Sequence, residues 1–253
     1  MPAAPETLRR LPLVPGAGLL LFAAATLATI AGSLSMQDMG ELPMPGGWTL
    51  STAWMPMCGQ SWAGAAASFT GMWMVMMVAM MSPSLLPALR EYRPGLATVA
   101  GAGYFFVWAV LGAIIFALGA VLTQVLLQMN TVARAVPALS GLVVLLSGAF
   151  QFTAWKAHHL SCCRQQQPAQ LPTHAGTAWR HGLRLGRHCV FSCAGLTTLL
   201  LVSGVMDLRA MVVVTALITA ERLAPDGEGV ARAAGAVAMA AGLLMSARAL
   251  WPA

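Results

Sequence analysis

The chain has 253 residues, 58% of them hydrophobic and 9% charged, with a mean hydropathy of +0.73 and a formal net charge of +6. A soluble domain carries about 25% charged residues, so the composition excludes a soluble globular enzyme and equally excludes a disordered chain. A membrane span takes roughly 20 apolar residues, which leaves room for about seven spans and no large domain beside them.

Leu13 to Leu34 carries no charge and follows Arg9 and Arg10. The run is longer than the ~7–15 apolar residues of a signal peptide, so it reads as an uncleaved first helix. The stretch from 42 to 62 is rich in Pro, Gly, Trp and Met and reads as a loop near the interface. A second helix follows to Leu89 and is closed by Arg90, Glu91 and Arg93. The third uncharged stretch, Gly95 to Ala133, is longer than one bilayer needs and predicts a tilted or protruding helix. Ala135 to Trp155 is the fourth. A polar connection over 156–188 leads to the fifth segment, and a short sixth, 208–224, precedes a seventh whose Arg232 and Arg248 can snorkel. The predicted fold is all-α: a polytopic membrane helix bundle of about seven transmembrane helices. It forms one integral membrane domain over 1–253, with spans near 14–35, 63–89, 96–127, 135–155, 188–206, 208–224 and 230–251.

Thirteen of the 14 basic residues are Arg, and they sit in short connections between apolar segments. That is the positive-inside pattern and not a nucleic-acid footprint. With the N-terminus in the cytoplasm, Arg9, Arg10, Arg90, Arg93, Lys156, Arg164, Arg180, Arg184, Arg187, Arg222 and Arg232 fall inside, and only Arg134, Arg209 and Arg248 fall outside. The expected location is a bacterial inner membrane, multi-pass, with the Met-rich loop 36–62 outside and the His/Cys loop 156–188 inside. The expected partners are the lipid bilayer and a membrane subunit or metallochaperone.

Methionine is the first chemical signal. Met36, Met39, Met44, Met55 and Met57 lie in the outer loop with Cys58, and Met72, Met74, Met76, Met77, Met80 and Met81 crowd ten residues of the second helix. On a helix Met72, Met76 and Met80 form one stripe and Met74, Met77 and Met81 another. Trp73, Met77 and Met81 share a stripe predicted to face the bundle interior. Thioether sulfur is neutral and soft and suits Cu(I); it is also ordinary flexible packing material. Pro83 and Pro87 interrupt the backbone ladder of this helix and predict a kink.

The second signal is soft ligands at two facing helix ends. His158, His159, Cys162 and Cys163 follow the fourth span, and His188, Cys189 and Cys193 open the fifth. Cys189 and Cys193 are one turn apart and share a face, with His181 on the same line if the helix extends back. Cys163, Cys189 and Cys193 with His159 or His188 are predicted to meet as a three- or four-coordinate site. Cys162 and Cys163 are predicted to stay reduced. Glu221, beside Arg222, is an acid at membrane depth and predicts an ion pair, for example with Lys156 or Arg187.

From Trp48 to the C-terminus these features resemble the bacterial family of predicted metal-binding integral membrane proteins (domain of unknown function 2182). The marks are Trp73 with Met76-Met77, Ala79-Met80-Met81 and Pro83; Gln151, Thr153 and Lys156 before a Cys-containing turn; Gly186 and Cys189; Gly204 with Met206; and Glu221 with its basic neighbour. The family usually shows two cysteines four residues apart after the lysine, where this chain has His159 and Cys163. Its Cys-x-x-Cys-Cys-Trp run stands here as Cys189, Val190, Phe191, Ser192, Cys193, Ala194. The resemblance implies a membrane helix bundle and a metal-binding role.

The leading functional reading is copper handling: transport, delivery or assembly of a copper site. Met57 and Cys58 would collect Cu(I), Met76, Met77, Met80 and Met81 would line its path, and the inner Cys/His set would receive or release it. Zinc is the second candidate metal at that inner set. An enzyme is disfavoured, since no span holds the His pair of a b-type haem and only Cys58 lies outside for thiol oxidation. The alternative to copper handling is a non-catalytic scaffold or accessory subunit of a larger membrane complex.

Overall fold

The computed structural model describes residues 13–37, 41–45, 47–56, 59–90, 92–164, 172–205 and 207–250. These form eight helices and one hairpin: α1 (Leu13–Gln37), β1 (Glu41–Met44), β2 (Trp48–Ser51), α2 (Trp62–Leu89), α3 (Pro94–Gln128), α4 (Asn130–Phe150), α5 (Ala154–Arg164), α6 (Ala175–Ser203), α7 (Leu208–Leu223) and α8 (Gly227–Leu250). The fold is an all-α bundle, as its composition requires. Helix covers most of each of the seven predicted segments, with a turn over 151–153 breaking the fourth. Five helices, α2, α3, α4, α6 and α8, are long and apolar enough to cross a membrane. The described apolar part of α1, Gly18–Leu34, is shorter, and so is the 16-residue α7, which carries Arg209, Glu221 and Arg222.

The stretch over 156–188 differs from the polar loop expected there. Its described part is mostly helix, comprising α5 and the first turns of α6. Average polarity hides an amphipathic pattern: Ala178, Gly182, Leu185 and Gly186 are buried, while Arg180, Arg184 and Arg187 are exposed. The connection between α1 and α2 likewise contains an antiparallel hairpin pairing Met44 with Trp48, and its Trp48 indole donates to the Ala133 carbonyl at 2.9 Å. Ser61 caps α2 by accepting from the Gly64 amide, and α2 continues helical through both Pro83 and Pro87.

Lipid tails are as apolar as leucine, so helices in a bilayer associate by close packing at small residues. The chain does this most clearly between α4 and α8. A Cβ on Gly148 would stand 2.7 Å from the Gly235 carbonyl oxygen, and one on Gly242 would stand 2.7 Å from that of Gly141. The seven-residue spacing in each helix keeps both contacts on one face. α3 packs along α6, and α1 lies against α2. The core between them holds Phe69, Trp73, Met77, Tyr104, Trp108 and Leu196, with the Trp73 indole donating to the Trp108 carbonyl at 3.0 Å. Ile114, Leu118, Val121, Val237 and Leu243 point outward, as a lipid-facing surface must. The end of α2, α5, the first half of α6 and the end of α7 meet at one end of the bundle, opposite the hairpin.

Candidate metal centre

Two helices supply the thiols. On α5, Lys156, Leu160 and Cys163 recur at spacings of four and three and are all buried. On α6, Cys189 and Cys193 are one turn apart and 0% and 1% exposed. The Cys189 Sγ lies 4.0 Å from the Cys193 Sγ and 3.8 Å from the Met81 Sδ of α2, and the Tyr104 hydroxyl of α3 donates to it at 2.8 Å. Met81 is fully buried, as are Trp73 and Met77 on the same stripe.

Arg222 of α7 closes this group. Its Nη2 lies 3.5 Å from the Cys193 Sγ and 3.8 Å from the Cys163 Sγ, and its Nη1 donates to the Ser84 hydroxyl at 3.0 Å. Its neighbour Glu221 turns to Lys156, with 2.7 Å between Oε2 and Nζ. Of the two partners considered for Glu221 from sequence, the structure selects Lys156. Arg164 donates to the Glu221 and Pro225 carbonyls at 3.2 and 2.9 Å and fastens the end of α5 to the turn before α8. Beside Lys156, a cavity of about 300 Å³ is lined by Gln151, Thr153, Leu160, Glu228 and Arg232. Buried groups without a hydrogen-bond partner gather at this end: both amide atoms of Gln151, Ser192 Oγ, Glu221 Oε1 and Arg222 Nε. Each such group costs about 1–3 kcal/mol if it stays unpaired.

The histidines form a separate tier. His159 and His188 face each other with 3.0 Å between their Nδ1 atoms. Trp155 and Phe191 hold the His159 ring at centroid distances of 4.4 and 5.2 Å. Burial, then the charges of His158 and Arg187, hold the His159 imidazole below its ordinary range, so it is neutral near pH 7. His158 meets Cys162 at 3.8 Å on the exposed side, and His181 bonds the Tyr92 hydroxyl instead of joining the thiols. Cys162 is a thiol, so the vicinal cysteines are not joined to each other.

The structure therefore gathers Cys189, Cys193 and Met81, places Cys163 on the other side of the Arg222 guanidinium, and pairs His159 with His188 beside them. Met76, Met77 and Met80 belong to the aromatic core. Met57 and Cys58 lie outside the described residues. Tyr104 and Ser84 were not foreseen. The signal for Tyr104 was a hydroxyl on an uncharged helix, which must find a partner when buried. Among the described residues no three His, Cys, Asp or Glu side chains converge closely enough to hold a metal ion. Tetrahedral zinc asks for such a set, and nothing in the structure supports zinc here. Three donors are reached only when the Met81 thioether is counted with Cys189 and Cys193, and that donor set suits Cu(I).

A family model described as PpoB2, copper chaperone, matches residues 70–245. The match takes in every residue of both tiers. It is copper-related, in line with the metal-binding resemblance, under a different description. No curated protein and no solved structure matches the chain.

Proposed function

The chain belongs to the PpoB2 copper chaperone family, and on that premise we propose that it is a membrane protein that holds Cu(I) as cargo at Cys189, Cys193 and Met81 and passes it to a copper-requiring partner. The observation that carries this reading is the convergence of three sulfurs from two helices, 4.0 and 3.8 Å apart, in a buried pocket. Two thiolates and a thioether bind soft monovalent copper and give a hard or borderline divalent ion little purchase. Cys163, across the Arg222 guanidinium, is a fourth sulfur to which the ion can shift. His159 and His188, one turn nearer the end of the bundle, are the pair through which it enters or leaves.

In this reading Met81 is the ligand contributed by α2, and Met76, Met77 and Met80 shape the wall around it. The positive-inside pattern supports an inner-membrane protein with the N-terminus in the cytoplasm. The basic residues of α5, α6 and α7 surround the thiol end, so the centre opens toward the cytoplasm. A cytoplasmic reporter signal from a fusion after Ala253 would contradict this orientation. The direct test of the function is titration of the purified protein in detergent with Cu(I) against a chromophoric competitor, with Zn(II) in parallel. One tightly held Cu(I), lost in Cys189→Ser/Cys193→Ser and unmatched by Zn(II), is the expected result. Equal Cu(I) retention by that variant would leave a scaffold subunit as the better reading.

A further inference from the structure

We propose that Arg222 is the fixed counter-cation of the thiol centre and that it sets the centre's preference for a monovalent soft ion over a divalent one. The inference rests on the thiol centre argued above and assigns the residue that selects its ion.

A guanidinium stays charged in proteins, and the Arg222 guanidinium, half-buried with its Nε shut from water, is favoured beside an anion. Among the described residues Arg222 has no carboxylate partner. The ion pairs among the described residues are Lys156 with Glu221 and Arg232 with Glu228. Glu221, the adjacent acid, is committed to Lys156, and Asp207, Asp226 and Glu228 are exposed elsewhere. The groups the guanidinium does face are two sulfurs, Cys193 and Cys163, and one neutral hydroxyl, Ser84. Among the described residues the anion available to it is therefore sulfur. The Ser84 bond on Nη1 turns Nη2 toward the thiols, so the charge is aimed and does not wander.

The charge sum then selects the ion. Cu(I) or Ag(I) bound by the thiolates of Cys189 and Cys193, with Met81 neutral, gives a complex of charge −1, and Arg222 brings the total to zero. The displaced thiol protons leave to water, as they do wherever thiolates take a metal. A divalent ion on the same ligands leaves +1 in a pocket shut from water, which is strongly unfavourable. A third thiolate would restore neutrality, but no three Cys, His, Asp or Glu side chains converge among the described residues.

The test compares Ag(I), which is monovalent and stable to air, with Cd(II), a divalent thiolate binder, on the full chain in detergent. Affinities are measured for the parent, Arg222→Met and Arg222→Lys. Arg222→Met is expected to lose Ag(I) affinity by roughly tenfold or more, the scale of removing one partner from a desolvated charge pair, while Cd(II) affinity holds or rises. Arg222→Lys keeps the charge and is expected to keep the Ag(I)/Cd(II) ratio. Should Arg222→Met not fold, Arg222→Gln retains a donor to Ser84 and is read by the same ratio. Parallel losses for both ions, or an unchanged ratio in the neutral variants, would overturn the role of Arg222 and leave the centre standing. A parent protein that takes up neither Cu(I) nor Ag(I) at Cys189 and Cys193 would overturn the centre itself, and the inference with it.

Discussion

Lys156 of α5 and Glu221 of α7 meet at 2.7 Å with each side chain only 1% exposed. The pair joins two short helices at the polar end of the bundle, beside the Arg164 bond to the Glu221 carbonyl. It also commits Glu221 away from Arg222, which leaves the guanidinium for the sulfurs. Removing one partner of such a pair strands a buried charge, at about 3–5 kcal/mol. Glu221→Ala is therefore expected to lower the unfolding midpoint in detergent strongly. The double variant Lys156→Met/Glu221→Leu removes both charges and is expected to recover most of that loss. A double variant as unstable as Glu221→Ala would show that the ion pair is not the source of the effect.

Met77 and Met81 lie on one stripe and are equally buried, but the sulfur that meets Cys189 is that of Met81. Met→Leu conserves volume and costs less than about 1.5 kcal/mol. Met77→Leu is expected to leave Cu(I) affinity unchanged and Met81→Leu to lower it, with similar thermal stability in the two proteins. Competition titrations on both variants check this. Equal affinity in the two would return the whole stripe to packing.

Cys162 and Cys163 are neighbours in the chain with opposite surroundings. Cys163 is buried toward Arg222, and Cys162 faces His158 on the exposed side. Cys162→Ser is expected to retain Cu(I) like the parent. Cys163→Ser is expected to retain the ion at Cys189 and Cys193 and to transfer it more slowly to an added acceptor. Stopped-flow transfer to a chromophoric chelator separates the two.

His159 lies one turn from Cys163 and pairs with His188, which directly precedes Cys189, and His159 is neutral near pH 7 because burial and the nearby charges of His158 and Arg187 oppose its protonation. His159→Ala is expected to slow loading without changing the final Cu(I) affinity. Acidification below the ordinary imidazole range is expected to slow the parent in the same way, since a depressed proton affinity keeps the ring available as a ligand. A fall in equilibrium affinity equal to that of Cys189→Ser would place the imidazole inside the thiol centre.

Much of the centre was legible before folding. Cys189 and Cys193 share a face because they are four apart on a helix, and Glu221 had to find a cation because an acid at that depth is otherwise too costly. Lys156 was one of two candidates for it. The polar run over 156–188 was misjudged because a window average treats Arg180, Arg184 and Arg187 as loop residues. Their spacing against Ala178, Gly182 and Leu185 instead makes one wet face and one dry face on a helix. The single predicted Cys/His site became two tiers for a related reason. His159 and Cys163 are one turn apart on α5, so they point to the same side but at different depths.

The sequence alone determined the all-α, apolar helical architecture and which soft side chains were available to it. Composition, run length and charge spacing are local quantities, and hydrogen bonding in lipid leaves helices as the economical answer for such runs. Only the tertiary structure decided which of those ligands meet. Met81, Tyr104, Cys163, Cys193 and Arg222 come from five different helices, and their distances depend on how α2, α3, α5, α6 and α7 cross. Those crossings are set by close contacts such as that of Gly182 on the Ala100 carbonyl of α3, where the missing side chain lets two backbones approach. No periodicity records such a fit, because it is a property of two helix surfaces together and of neither one separately.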